Sequence, residues 1–168
     1  MTLSMYQASV PVLTRNLKIL DGILAKGAKH AEQHEIDPAV LLNARLYPDM
    51  FPLLKQVQIA TDIAMRGANR LAGDEPLSTA DSESSFDDVH ARIRHSLEAL
   101  DAYRPEQIDG SEERAITLKL PSGEMKFDGQ SFLLSFVLPN LFFHIATAYG
   151  ILRHNGVPLG KADFLGGR

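Results

Sequence analysis

The sequence predicts an all-α protein, an antiparallel four-helix bundle that carries one small β-hairpin. Four long segments repeat apolar residues at intervals of three and four, the period of a helix with one buried face. One short segment alternates with a period of two instead, as a strand does. The 168 residues fit a single domain over 1–168 that can bury a core without disulfides, and the chain has no cysteine.

The first predicted helix has an apolar stripe that runs from Tyr6 to Ala31. Pro11 lies within the stripe, where an interior proline removes a backbone hydrogen bond, so the helix either kinks or starts there. Because Tyr6 keeps the register, a kink is favoured. The same spacing places His30 and His34 on the solvent side of the helix, where both should be dispensable for stability.

Proline and acidic residues mark the start of the next helices. Asp37 and Pro38 form a helix start, and a short helix over residues 39–44 follows. Asp49 is predicted to cap the second long helix, with a proline in its first turn.

An acidic, serine-rich stretch over residues 73–85 is predicted to be a solvated linker. Ser85 and Asp88 form a capping box that opens the third long helix.

The period-two segment spans residues 116–127 and predicts a β-hairpin between helices three and four, with its turn at 121–123. The fourth helix then starts at Asp128 or Ser131 and ends at Asn155-Gly156. Its stretch 132–152 is apolar on nearly all sides. Because that stretch also contains several polar residues, it is interpreted as a buried bundle helix and not as a membrane span.

Charge and composition exclude some classes of partner. The net charge of −4 gives no general attraction to nucleic acid or to anionic membranes. The N-terminal sequence lacks the pattern of a secretory signal, and the absence of cysteine fits a reducing compartment. A cytoplasmic protein without nucleic-acid or membrane partners is expected.

His144 stands out as the candidate site residue, because it lies on the most apolar helix and its neighbours at helical spacing face inward. Asn140 shares its face, and Gln56 and Asp49 fall on the apolar stripe of the second long helix; Asp21 lies at the edge of the first stripe. These side chains could form a polar cluster between helices. The cluster could be a structural hydrogen-bond network, a ligand or metal site, or an acid–base site.

Four arginines could provide an anion site, although scattered arginines are usually exposed or ion-paired: Arg45, Arg66, Arg70 and Arg153.

Three stretches carry a family resemblance: RLYPDMFP at residues 45–52, LPN with FH at 138–144, and AYGILRHNGV at 148–157. The chain resembles an uncharacterised bacterial branch, a domain of unknown function, of the DinB/YfiT-like four-helix-bundle superfamily. The resemblance implies an up-down-down-up bundle with a long connection between helices two and three.

Many members of that superfamily look like metalloenzymes that use one histidine near the start of helix two and an H-x-x-x-H pair on helix four. His144 matches the first member of the pair, but Ala148 stands at the second position, and Asp49 or Gln56 stands where the helix-two histidine is expected. Any divalent metal, zinc or nickel, would therefore rest on His144 and Asp49.

Two functions remain open from the sequence. The first is a non-catalytic or small-ligand-binding homodimer, and a homodimer is expected because the fourth helix is apolar around its circumference. The second is a diverged metal-dependent enzyme that acts on a small molecule, with His144 and Asp49 as ligands and Gln56 or water completing the site.

Overall fold

A computed structural model describes residues 3–120 and 123–167. The chain is mostly helical and contains a two-stranded antiparallel hairpin, so the predicted class is confirmed at that level. In chain order the elements are α1 (Met5–Ala8), α2 (Val10–Gln33), α3 (Pro38–Leu42), α4 (Leu53–Ala72), α5 (Phe86–Asp101), α6 (Pro105–Ile108), β1 (Ile116–Leu120), β2 (Gly123–Phe127), α7 (Gly129–Phe132), a π-helical turn (Leu133–Val137), α8 (Leu138–His154) and α9 (Lys161–Phe164).

The four long helices α2, α4, α5 and α8 enclose one apolar core. Helix α4 packs against α5 and α8, and α2 packs against the same two neighbours. Each long helix contributes fully buried side chains, for example Leu17, Leu53, Ile93 and Leu141. Burial of each such side chain contributes roughly 1.5–3 kcal/mol of transfer free energy, so packing of the amphipathic faces stabilises the helices.

The N-terminal helix is interrupted at Ser9, which corrects the expected kink at Pro11. The Ser9 backbone leaves helical geometry, and its hydroxyl donates to the carbonyl oxygen of Met5 at 2.6 Å. Helix α2 then starts at Val10, so Pro11 lies in its first turn, where a missing N–H costs no helical hydrogen bond. The helix therefore begins near the proline instead of bending around it.

The predicted cap at Asp37 is confirmed, since its side chain accepts from the backbone N–H of Ala39 at 2.9 Å. The predicted cap at Asp49 is wrong. Pro52 precedes the first residue of α4, and Asp49 lies exposed in the preceding turn. The fixed backbone angle of Pro52 and its lack of an N–H suit it to the edge of a helix, so α4 starts three residues later than expected.

The hairpin pairs Ile116 with Phe127 and Leu118 with Met125. Residues 121–122 of the predicted turn lie outside the described residues. Of the two predicted starts of the last helix, Asp128 and Ser131, the structure has the first. The Asp128 side chain caps α7 by accepting from the N–H of Ser131 at 2.7 Å. The hairpin thus leads directly into the last long helical stretch.

The helical stretch Gly129–His154 is long and apolar enough to cross a membrane by length and composition alone. A core helix of a globular protein passes the same test, and α8 packs against α2 and α4 in this bundle. The packing supports its interpretation as a bundle helix.

His30 is buried, which corrects its predicted solvent position. Only 9% of the residue is exposed. Its ring lies beside Gly156, in the turn that follows α8, and its centroid is 4.2 Å from that of the exposed His34 ring. Gly156 has a φ of +90°, which lets the chain turn back over α2. A residue more than a hundred positions further along the chain thus covers a face of α2 that the helical spacing predicts to be exposed to solvent.

We expect His30→Gln to lower the free energy of unfolding by about 1–2 kcal/mol, because the packed ring is lost, and His34→Gln to change it by less than about 0.5 kcal/mol. Urea titrations followed by circular dichroism measure both. The two substitutions make the same chemical change on adjacent turns of the helix, so each is a control for the other. Equal losses of unfolding free energy would contradict the difference in burial.

Candidate functional site

His144 lies on the inward face of α8, where this helix meets α4. Only 8% of the residue is exposed, and its Nδ1 atom lies 2.7 Å from Oε1 of Gln56 on α4. Gln56 is also buried, and its Nε2 donates to the carbonyl oxygen of Phe51 at 2.9 Å. The predicted burial of His144 and its contact with Gln56 are therefore present, and they join α8 to the start of α4.

The surroundings of His144 favour its neutral form. Burial lowers the pKa of the imidazole, because a charged ring loses hydration inside the protein. Since the amide nitrogen of Gln56 donates to Phe51, the amide oxygen faces the ring and accepts from Nδ1. The neutral ring then carries its proton on Nδ1.

The other members of the predicted cluster do not reach His144. Asn140 donates to the carbonyl oxygen of Phe136, one turn earlier in its own helical stretch, at 2.6 Å. Asp49 lies exposed in the turn before α4, and no hydrogen bond or ion pair joins it to His144. Asp21 pairs with His90 of α5 at 2.6 Å. The cluster is thus a buried pair, not the four- or five-residue site that the helical projection indicates.

The residues around His144 do not fit a divalent metal site. Ala148, one turn further along α8, is fully buried and offers no ligand atom. In the part of the chain that the structure describes, no group of three or more histidine, aspartate or glutamate side chains is arranged to hold a metal ion. A three-ligand site of the kind that catalytic zinc requires is therefore not formed by His144 and Asp49.

A buried arginine on α5 organises a second polar cluster. The Arg92 side chain is only 2% exposed. Its guanidinium donates to the Thr61 hydroxyl and to the Asp62 carboxylate at 2.7 Å each, and to the Glu83 carboxylate at 2.9 Å. Asp81 completes the ion pairs at 3.2 Å. The sequence contains a sign of this cluster. At helical spacing, position 92 falls on the apolar stripe of α5, between Val89 and Ser96, which are both buried, so an arginine there has to find partners inside the protein.

The acidic stretch 73–85 forms no helix or strand and is mostly exposed, as a solvated linker requires, but its acidic side chains also attach it to the bundle. Besides the bonds to Arg92, Asp81 pairs with Lys55 at 2.6 Å and Glu83 accepts from Gln58 at 2.8 Å. Arg66 donates to the carbonyl oxygen of Leu77 at 3.1 Å. The acids of this stretch neutralise cations on α4 and α5.

A groove of about 480 Å³ runs between α4, the hairpin and the π-helical turn. We call it the α4–hairpin groove. Its apolar lining consists of Ile59, Ile63, Leu118, Phe132, Phe136 and Val137. Its charged lining consists of Lys55, Asp62, Arg66, Arg70, Asp81 and Lys119. His144 and Gln56 do not line this groove or the larger one of about 630 Å³ beside α2.

The π-helical turn shapes one wall of the α4–hairpin groove. Single π-helical turns are rare and occur frequently at functional sites. Opposite the turn, a Cβ atom on Gly67 would lie 2.8 Å from Cγ1 of Val137, so only glycine permits this approach of α4. Of the four arginines that the sequence singles out, Arg66 and Arg70 both line the groove, as their spacing of one helical turn permits.

This architecture, four long packed helices with a hairpin leading into the last helical stretch, is that of a DinB-like helical bundle. The crystal structure of a DinB family member protein from Shewanella denitrificans matches it with a TM-score of 0.88, at 38% sequence identity over 97% of this chain and 92% of that chain. The family model described as "Domain of unknown function (DUF1993)" matches residues 5–165, and the chain belongs to this family. No curated protein matches the sequence. The predicted resemblance to a DinB-like domain of unknown function is confirmed.

Proposed function

We propose that this protein is a non-catalytic, up-down-down-up bundle that binds a small molecule in the α4–hairpin groove. The observation that carries the proposal is the groove itself, an apolar floor with charged groups at its edge. Its volume of about 480 Å³ lies in the usual range of ligand pockets, roughly 300–1,000 Å³. The π-helical turn and the close approach at Gly67 give the floor its shape.

The groups in the groove favour binding over acid–base chemistry. Asp62 is ion-paired with Arg66 at 3.0 Å and with Arg92 at 2.7 Å. The hydrogen bond from Lys55, more than any other influence, places the pKa of the Asp81 carboxyl below its ordinary value. A general base works best with a pKa near the operating pH, so a carboxylate held as a weaker base suits a structural ion pair better than proton transfer.

An uncharged fluorescent probe tests whether the groove binds small molecules. N-phenyl-1-naphthylamine should bind the wild-type protein, and Ile63→Trp should weaken that binding by about tenfold or more, because the indole would occupy the floor. Titration of the probe fluorescence measures both affinities.

Leu97→Trp is the matched control, since it adds the same ring at a half-buried position on α5 outside the groove. Ile59→Trp provides a second filled groove should Ile63→Trp fail to keep the helical circular dichroism of the wild type. Unchanged affinity in both folded groove variants would contradict the proposal.

The proposal includes a homodimer formed through an apolar surface around the outer face of α8. Leu46, from the connection between α3 and α4, packs on α8 at Gly150. The exposed Phe143 of α8 contacts the ring of His144. His144 in turn contacts Gln56, which donates to Phe51 at the end of the same connection. The exposed members of this outer apolar surface are Leu46, Tyr47, Phe51, Pro139, Phe142, Phe143 and Ala146. Monomeric proteins rarely leave large contiguous apolar patches in water, which supports a second copy as the occupant.

Sedimentation equilibrium at micromolar concentration should therefore fit a dimer of the 18.5 kDa chain. Phe143→Ser should raise the dimer dissociation constant by about tenfold or more, because a large exposed ring at the centre of an interface commonly carries much of the binding energy. Leu165→Ser removes an exposed apolar side chain that is not part of the outer apolar surface, and it should leave the dimer dissociation constant unchanged. A single 18.5 kDa species for the wild type would refute the homodimer.

The proposal also retains a cytoplasmic location without nucleic-acid or membrane partners. Support comes from the net charge of −4 and from the packing of the most apolar helix inside the bundle.

A further inference from the structure

The charges that line the α4–hairpin groove do not balance. Two of its cations are paired, Lys55 with Asp81 at 2.6 Å and Arg66 with Asp62 at 3.0 Å. Both of these acids also pair with the buried Arg92. Within residues 3–120 and 123–167, no carboxylate lies within ion-pair distance of Arg70 or Lys119, the other two cations of the groove.

Arg70 and Lys119 each line two grooves. Both side chains line the α4–hairpin groove and also the adjoining groove beyond it, which places them at the junction of the two. Arg70 comes from α4 and Lys119 from β1, so the two cations reach the groove from different elements. Glu75 lines only the adjoining groove.

The environment of Arg70 is that of a cation with too little compensation. Burial lowers the pKa of its guanidinium, and repulsion from Arg66 lowers it further, while Glu75 acts in the opposite direction with a smaller influence. A bound anion would offset the cost of burial and the repulsion by attracting the guanidinium. A guanidinium can bind a carboxylate with two parallel hydrogen bonds, and an ammonium adds a point charge beside it.

The floor next to these cations is apolar. Ile63, Phe132 and Phe136 line the groove from α4 and from the helical stretch before α8. Inorganic phosphate would leave this floor empty, whereas a molecule with a carboxylate head and an apolar body would contact both parts of the site.

We propose that the α4–hairpin groove binds an organic carboxylate with an apolar body, with the carboxylate on Arg70 and Lys119 and the body on Ile59, Ile63 and Phe136. This inference rests on the proposed function, because it names the class of ligand for the same groove.

Two probes with the same aromatic rings test the charge requirement. 8-Anilino-1-naphthalenesulfonate is N-phenyl-1-naphthylamine with an added sulfonate, so the ratio of their affinities isolates the contribution of the anion. We expect the sulfonate probe to bind about tenfold tighter than the neutral probe. Arg70→Gln combined with Lys119→Gln should remove that advantage, so that the affinities of the variant for the two probes differ by less than about twofold. Arg94→Gln, which removes one positive charge at an exposed position of α5 and so matches each of the two single substitutions, should change neither affinity.

Competition then tests the carboxylate itself. Decanoate should displace the sulfonate probe from the wild-type protein, whereas decyltrimethylammonium, which has the same chain and the opposite charge, and inorganic phosphate should not. Failure of decanoate to compete, or displacement by both decyl compounds alike, would overturn the assignment of a carboxylate ligand. The single substitutions Arg70→Gln and Lys119→Gln serve the same purpose if the double variant loses its helical circular dichroism.

The outcomes separate this inference from the proposed function. If both probes bind in a manner sensitive to Ile63→Trp but show no preference for the anion, the carboxylate inference fails and small-molecule binding in the groove stands. If neither probe responds to the folded Ile63→Trp or Ile59→Trp variant, both proposals fail.

Discussion

Replacing Arg92 with methionine should lower the free energy of unfolding by about 3–5 kcal/mol, the largest effect that we expect from any single substitution. Methionine fills a similar volume but donates no hydrogen bonds. The Glu83 carboxylate, with a side chain only 8% exposed, would lose its cation, and the acidic stretch 73–85 would lose its main anchor. An uncompensated buried charge costs more than the ion pair itself contributes. Guanidinium chloride titration of the variant and the wild type measures the difference.

Arg94→Met is the matched control for Arg92→Met. It makes the same chemical change two residues away, where the side chain is exposed, and should cost less than about 0.5 kcal/mol. Adding Glu83→Gln to Arg92→Met should recover part of the lost stability, because the amide no longer needs a cation. A loss for Arg92→Met no larger than that of the control would show that the cluster does not stabilise the fold.

The Arg92 cluster also predicts how stability depends on pH. Burial acts to raise the pKa of the Glu83 carboxyl, but hydrogen bonds from Arg92 and Gln58 together bring it below its ordinary value. A carboxyl whose folded pKa is depressed contributes stability above its unfolded pKa, near 4.3, and loses that contribution as the pH falls through the folded pKa. Wild-type stability should therefore fall on acidification below about pH 5, and Arg92→Met should show a shallower decline.

Replacing His144 with alanine should cost about 2–4 kcal/mol. The substitution leaves a cavity between α8 and α4, and it removes the hydrogen-bond partner of the buried Gln56 oxygen. His144→Asn should recover part of the loss if the role of the imidazole is structural hydrogen bonding. Unfolding titrations with tag-free protein measure both variants, and unchanged stability in His144→Ala would contradict this role.

The sign of the pH dependence identifies the contribution of His144. Burial lowers its folded pKa, so near the unfolded value of about 6.5 the unfolded chain binds more protons than the folded one. Stability should be complete above that pH and decline as the pH falls toward the folded pKa. Because the other histidines remain in His144→Asn, the difference between its pH profile and that of the wild type isolates this residue.

The same His144 variants test the metal-enzyme alternative. The donor set around His144 does not fit a three-ligand site, so elemental analysis of freshly purified wild type should find zinc and nickel well below one equivalent. A full equivalent that His144→Ala releases would restore the metal-dependent hypothesis and overturn the non-catalytic one.

Local sequence signals determined most of the secondary structure of this protein. Apolar periodicity predicts the long helices because an amphipathic stripe must be buried, whatever its partner is. The capping box of Ser85 and Asp88 and the cap at Asp37 are formed as predicted, since they need only residues three or fewer positions apart. The contact between His144 and Gln56 was also predictable from the apolar stripes of the two helices, because both residues lie on the faces that pack α8 against α4.

Apart from His144 and Gln56, the tertiary structure decided which polar groups meet. Asp49 misses His144 because Pro52 delays α4, and His30 is covered by Gly156 from the far end of the chain. Arg92 finds its carboxylates on α4 and in the acidic stretch, and Arg70 of α4 and Lys119 of β1 line the same groove. Periodicity specifies the face on which a residue lies and not the neighbour that packs there. Long-range pairing depends on how the elements dock, and docking is decided by the packing of the whole bundle.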